Sequence, residues 1–166
     1  MDLQRTRDWA DLLLKALSIF AILVGAGWGL YQFRITETTA RNIQLTVSSE
    51  SQPYSADSRL LLIHIKPKNI GKVLVTAGKD GLLITVRSIP RGEKDGMLDL
   101  EKLPEFYKTD LMKRFPNGYD LEPGVEYDEV VALIAPKGSM YAIKATLDLG
   151  DNTEVDHTTI AYIPAN

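Results

Sequence analysis

Residues Leu12 to Tyr31 read LLLKALSIFAILVGAGWGLY, a run of apolar sequence with a single charge inside it. A helix rises about 1.5 Å per residue, so a run of this length covers the roughly 30 Å hydrocarbon core of a bilayer. No amphipathic pattern interrupts it, and a helix that is apolar on every side has few homes outside a membrane. The charge, Lys15, lies near the start, where its long stem can carry the ammonium back to the headgroups. Trp9 precedes the run, and Trp28, Tyr31 and Phe33 gather at its far end, where amphipathic rings favour the interface. Residues 12–33 are therefore expected to form one transmembrane helix, after a tail at 1–11 and before a polar stalk at 34–42.

A cleaved signal peptide is the competing reading. Arg5, Arg7 and Lys15 would form its basic region, and Val24-Gly25-Ala26 offers small residues near a cleavage point. Hydrophobicity continues beyond that point through Trp28, Leu30, Tyr31 and Phe33, as an uncleaved anchor requires. Ala21, Gly25 and Gly29 recur every fourth residue, on one helical face. Small residues at that spacing admit a second helix at close range, from another membrane protein or from a copy of this chain. Basic residues before the run (Arg5, Arg7, Lys15) slightly outweigh those after it (Arg34, Arg41). This favours an N-terminus in the cytoplasm of a cell inner membrane and a C-terminal domain outside.

After the anchor about 125 residues remain, enough for one domain with its own core. The whole chain has a net charge of −3 and no cysteine. Disulfides and thiolate chemistry are therefore excluded. The first 34 residues hold more basic than acidic groups, so the acid excess lies in the later part. No basic, aromatic-interleaved stripe of the kind nucleic acid requires is present.

Beyond residue 42 the hydrophobic period changes to two. Ile43, Leu45 and Val47 alternate with polar residues, as do Leu61, Ile63 and Ile65, with His64 and Lys66 opposite. Further strands are expected at 73–76, 82–89, 126–135, 139–149 and 154–163, separated by turns such as Gly78-Lys79-Asp80-Gly81 and Gly150-Asp151-Asn152. Leu103 to Arg114 reads differently. Pro104 suits a first helical position, Pro116 a stop, and Leu103, Tyr107 and Leu111 share a face, so a short inserted helix is expected there. The fold class is mainly β: an N-terminal transmembrane helix, then an antiparallel immunoglobulin-like β-sandwich over 43–166.

The order of an anchor ending Trp28-x-x-Tyr31-x-Phe33, an alternating strand, Asn69-Ile70-Gly71-Lys72, and Leu121-Glu122-Pro123-Gly124 resembles a known arrangement. It is similar to bacterial single-pass membrane proteins with immunoglobulin-like ectodomains, some related to CARDB-type adhesion and interaction domains. The resemblance implies fold and membrane placement, and transfers no active residues.

Signatures of catalysis are missing: no Gly-x-Ser-x-Gly, no phosphate-cradling loop, no His-Glu-x-x-His. His64 and His157 fall on separate strands and read as surface histidines. Asp148, Asp151, Asn152, Glu154 and Asp156 cluster oxygen ligands that would suit a cation. Their spacing matches no dedicated calcium loop, and a solvated Asp-Asn turn explains them equally. No enzyme activity, resident metal or cofactor is expected. The expected function is a membrane-anchored interaction or accessory protein that contacts the bilayer and another protein. Phe106, Tyr107, Phe115 and Tyr119 are its candidate contact residues, the loop PRGEKDG at 90–96 a further place for contact, and a ligand- or cation-sensing role for the 148–156 loop is the alternative.

Overall fold

The structure is a computed structural model and describes residues 3–32, 41–78, 81–92, 96–150 and 152–165. Residues 34–40 of the expected stalk, Phe33, Asp151, and Lys79 and Asp80 of a predicted turn lie outside the described residues, as do three positions of the 90–96 loop. Two compact units divide the chain, the first ending at Ala40 and the second starting at Arg41.

The first unit contains helix α1, Leu3–Leu30. It begins well before the apolar run, because RTRDWAD contains no Gly or Pro to break it. Lys15 Nζ reaches back one turn to Asp11, 2.7 Å away, and Ser18 donates to the Leu14 carbonyl. Over Arg7–Leu30 the mean hydropathy is 1.9 with none of the span buried. The helix is thus long and apolar enough to cross a membrane.

The second unit is antiparallel β. Strands β1 (Ile43–Pro53), β2 (Ser58–Asn69) and β7 (Glu129–Pro136) form one sheet in the order β1-β2-β7. The other sheet runs β5-β4-β8-β9, from β4 (Leu82–Ser88), β5 (Glu105–Asp110), β8 (Met140–Asp148) and β9 (Glu154–Tyr162). A two-residue ribbon, β3 (Val75–Thr76) with β6 (Asp120–Leu121), lies between them in sequence. The chain crosses between sheets after β2, after β5 and after β7, which is consistent with an immunoglobulin-like sandwich. Leu61, Ile63 and Ile65 of one sheet and Ile84, Val86 and Ile143 of the other join a single core cluster, and all six are essentially inaccessible. Burying each is worth roughly 1.5–3 kcal/mol.

The inserted helix expected at Leu103–Arg114 is not formed. The segment is instead β5, preceded by a 3-10 turn at Leu100–Lys102 and followed by another at Leu111–Arg114. The reason lies in the spacing of Leu103, Tyr107 and Leu111. Four residues is close to one helical turn, but it is also twice the strand period. Strand pairing additionally satisfies the backbone of Ile84 and Val86, which a helix would leave without partners. Ser88 N–H donates to the Pro104 carbonyl, extending that pairing.

Asn69 joins the two turn motifs. It is fully buried, and its Nδ2 donates to the carbonyls of Val73 (2.8 Å) and Leu121 (2.7 Å) while its Oδ1 accepts from Gly71 N–H. Its backbone bonds Val125 and Gly124. Gly124 has φ +78, which a side chain would resist, and so turns the Leu121-Glu122-Pro123 segment back onto β2.

Candidate interaction surface

The four candidate aromatics do not form one patch. Phe106 rests on Tyr141 with ring centroids 4.7 Å apart. Phe115, Tyr119 and Tyr127 make a separate row, with centroids 4.8 and 5.6 Å apart. Tyr119 is buried, Tyr107 and Phe115 pack on the core, and only Phe106 is appreciably exposed. Tyr119 Oη donates to Glu129 Oε1 at 3.1 Å. Burial, and then the Glu129 carboxylate, push its phenol above the usual tyrosine range. Beside this row, a half-open cleft of about 560 Å³ is lined by Thr76, Gly78, Met112, Phe115, Asn117 and Gly118. A second, of about 620 Å³, is lined by residues that include Arg91, Gly138, Met140 and Tyr162.

The acidic 148–156 segment is occupied by its own turn. Asp148 Oδ1 accepts from Gly150 N–H at 2.7 Å, and Asn152 takes the left-handed conformation with φ +58. Asp156 faces Lys144 at 3.7 Å. Among the described residues no group of three or more metal-ligating side chains converges.

The histidines are placed apart. His64 Nδ1 lies 3.0 Å from Asp128 on the outer face of the first sheet, with Ser48 across the strand pair. His157 departs from the surface reading. It shares the inward parity of Ala161 and Ile163, and its Nδ1 accepts from Val47 N–H at 3.2 Å, where β1 runs beside β9. On the outer face of the second sheet, Glu101 joins Arg87 (3.1 Å) and Lys144 (2.8 Å), tying the Leu100–Lys102 turn down over the sheet. The bond from Lys144, then the charges of Lys144 and Arg87, lower the Glu101 carboxyl; the same bond raises Lys144.

Sequence reasoning missed the exposed apolar row on the first sheet. Val130 and Ile134 are 40% and 52% exposed, with Ala132 exposed between them. Across the strand pair they meet His64, Leu60 and Leu62, and both leucines are only partly covered. The signal was present in Val130-Val131-Ala132-Leu133-Ile134, which stays apolar where a half-buried strand should alternate. A smaller group, Met140, Ile160 and Tyr162, is exposed on the outer face of the second sheet.

No family model and no curated protein matches the chain. Among solved structures, the chain is similar to an ApaA protein from Bordetella pertussis, with TM-score 0.51, 14% identity, and coverage of 76% of this chain and 97% of that one. A β-galactosidase from Bacteroides fragilis matches at TM-score 0.47 and 12% identity over 70% of this chain, which spans only 16% of that protein. The CARDB domain of a Pyrococcus furiosus protein, in complex with di-metal ions, matches at TM-score 0.42 and 14% identity, covering 75% of this chain and 90% of that domain. At such identities the likeness concerns the β-sandwich fold alone.

Proposed function

We propose that this chain is a membrane-anchored, non-catalytic β-sandwich that binds another protein chain through the outer face of its β1-β2-β7 sheet. The observation that carries the reading is the row Leu60, Leu62, Val130, Ala132 and Ile134, contiguous across two paired strands and left accessible. Contiguous apolar surface bordered by polar residues is characteristic of protein contact sites. Gln52, Glu50 and the His64–Asp128 pair supply the polar border here. Helix α1 serves as the anchor, and Ala21, Gly25 and Gly29 form a second contact for a neighbouring helix.

The test is co-purification from detergent-solubilised membranes, comparing the full chain with a Val130→Ser, Ile134→Ser variant. A chain retained by the parent and lost by the variant is expected. Identical co-purifying chains from both would overturn the assignment of this face. Retention of the full chain in carbonate-washed membranes, with activity outside the cytoplasm for a reporter fused after Asn166, tests the anchor and its orientation.

A further inference from the structure

The sandwich has four edge strands, and three are blunted. Strand β5 is six residues long, has Lys108 in its middle and shifts register opposite Val86 and Arg87. Strand β9 carries Glu154 and Asp156, and β1 has its Val47 amide covered by His157. Lysines, charges, bulges and covering groups are the usual protections against edge-to-edge pairing. Among the described residues, strand β7 shows none of them between Val131 and Ala135.

The direction of its backbone groups follows from the pairing. Pro67 and Asn69 of β2 bond Tyr127 and Val125, so the odd-numbered positions leading into β7 face β2. The even-numbered Val130, Ala132 and Ile134 therefore aim their N–H and C=O groups away from the sheet. Arg114 Nη1 reaches the Val130 carbonyl from that side at 3.4 Å, a long contact. Among the described residues, no turn or loop backbone bonds Ala132 or Ile134.

We propose that this edge pairs antiparallel with β7 of a second copy of the chain, with Ala132 opposite Ala132 of the second copy on a two-fold axis. The proposal rests on the reading above and goes beyond it: the second copy takes the edge of that sheet and leaves its outer face accessible. The sequence of the edge is self-complementary in this register. Val130 falls opposite Ile134, and their amides and carbonyls exchange hydrogen bonds, as do those of the two Ala132 residues. Pro136, which has no N–H to give, falls outside the paired core. Glu129 falls opposite Ala135, so no like charges meet, and its carboxylate is already bonded by Tyr119. The two apolar rows then become one continuous face across six strands. A strand-edge contact of this length falls short of the roughly 1,200 Å² typical of a free-standing dimer. Confinement of both copies by α1 in one membrane raises their effective concentration and offsets the shortfall.

The chain has no cysteine, so introduced thiols report on single positions. Hydrogen-bonded antiparallel partners have Cα atoms about 5.5 Å apart, inside the disulfide range. In vesicles containing the full chain, Ala132→Cys is expected to oxidise to a disulfide dimer. Val130→Cys alone is expected to give none, because its two copies would lie about 14 Å apart along the strands. Val130→Cys mixed with Ile134→Cys is expected to restore the dimer. Adding Ile134→Lys to Ala132→Cys should reduce the dimer at least tenfold, with an unchanged melting transition showing that the domain is folded. Equal dimer from Thr158→Cys on β9, dimer that survives Ile134→Lys, absence of dimer, or crosslinking to a chain of different mass would each overturn the proposal. If self-pairing fails while the Val130→Ser, Ile134→Ser variant still loses a co-purifying chain, the binding face stands and the second copy is the wrong occupant.

Discussion

Helix α1 and the β-domain are built from much the same aliphatic residues and treat them in opposite ways. In the helix, Leu13, Leu17, Ile22 and Leu23 are each more than 60% exposed. In the domain, Ile63, Ile65, Ile84 and Ile143 have no measurable exposure. The period of the pattern accounts for the difference. A run with no polar interruption has no inward side, whereas alternation gives each strand one face to bury and one to hydrate. The two units should therefore answer to different solvents, and substitutions in one should leave the other unmoved.

The largest expected effect is a complete separation. Residues 41–166 made alone should be soluble and β-rich by circular dichroism and should unfold cooperatively. In the full chain, Ile22→Arg should move the protein out of washed membranes, because an arginine at mid-span costs about 2.5–3.5 kcal/mol on insertion scales. The domain's melting temperature should not change. A domain that aggregates or loses its transition without α1 would break the comparison.

Next in size is the core. Ile63→Ala should destabilise the domain by about 2–5 kcal/mol in denaturant titration. Asn69→Ala should cost about 2–4 kcal/mol, since it leaves two buried carbonyls without donors. Leu17→Ala in α1 should leave the same titration unchanged. An equal response to Leu17→Ala and Ile63→Ala would show that the units are not independent.

The smallest effect sharpens the picture at the domain surface. The Glu101 carboxyl is lowered in the folded state, so its contribution is present above the ordinary value of 4.5 and is lost as pH falls through the lowered one. Lys144 is raised, so its contribution holds below 10.5 and is lost as pH rises through the raised value. Glu101→Gln should therefore flatten the acid limb of a stability–pH profile slightly and leave neutral stability nearly unchanged. An exposed bridge of this kind is worth little. A large loss at neutral pH would show that this tie does more than hold the Leu100–Lys102 turn.

Much of this division was legible before any coordinates. Alternation located β1, β2, β4, β8 and β9 to within a few residues, because each has a buried and a hydrated face. Strand β5 was hidden by an ambiguity of spacing: Leu103, Tyr107 and Leu111 satisfy a helix and a strand equally, and the open edge of β4 decides between them. Asn69 was visible as a turn residue. Its bond to Leu121, 52 positions away, depends on which strands lie together, which local pattern does not encode. The exposed row on β7 was hidden for the same reason. Its unbroken apolar run resembles a strand buried on both faces until the sheet order places it at an edge.

The meeting of β1 with β9 also bears on how the domain is completed during synthesis. Arg41 donates to the Leu149 carbonyl at 2.9 Å across 108 positions, and Val47 donates to His157 across 110. Contacts this distant in sequence form late, because the closure entropy of the whole intervening chain must be overcome first. The β1–β2 hairpin can assemble as soon as it leaves the ribosome, yet its outer edge stays bare until the last strand follows. A chain that stops before Glu154 would retain its leading strands and expose the Val47 amide, leaving β1 unguarded as well as β7. Termination ahead of β9 should therefore yield aggregation and proteolysis rather than a slightly shortened domain.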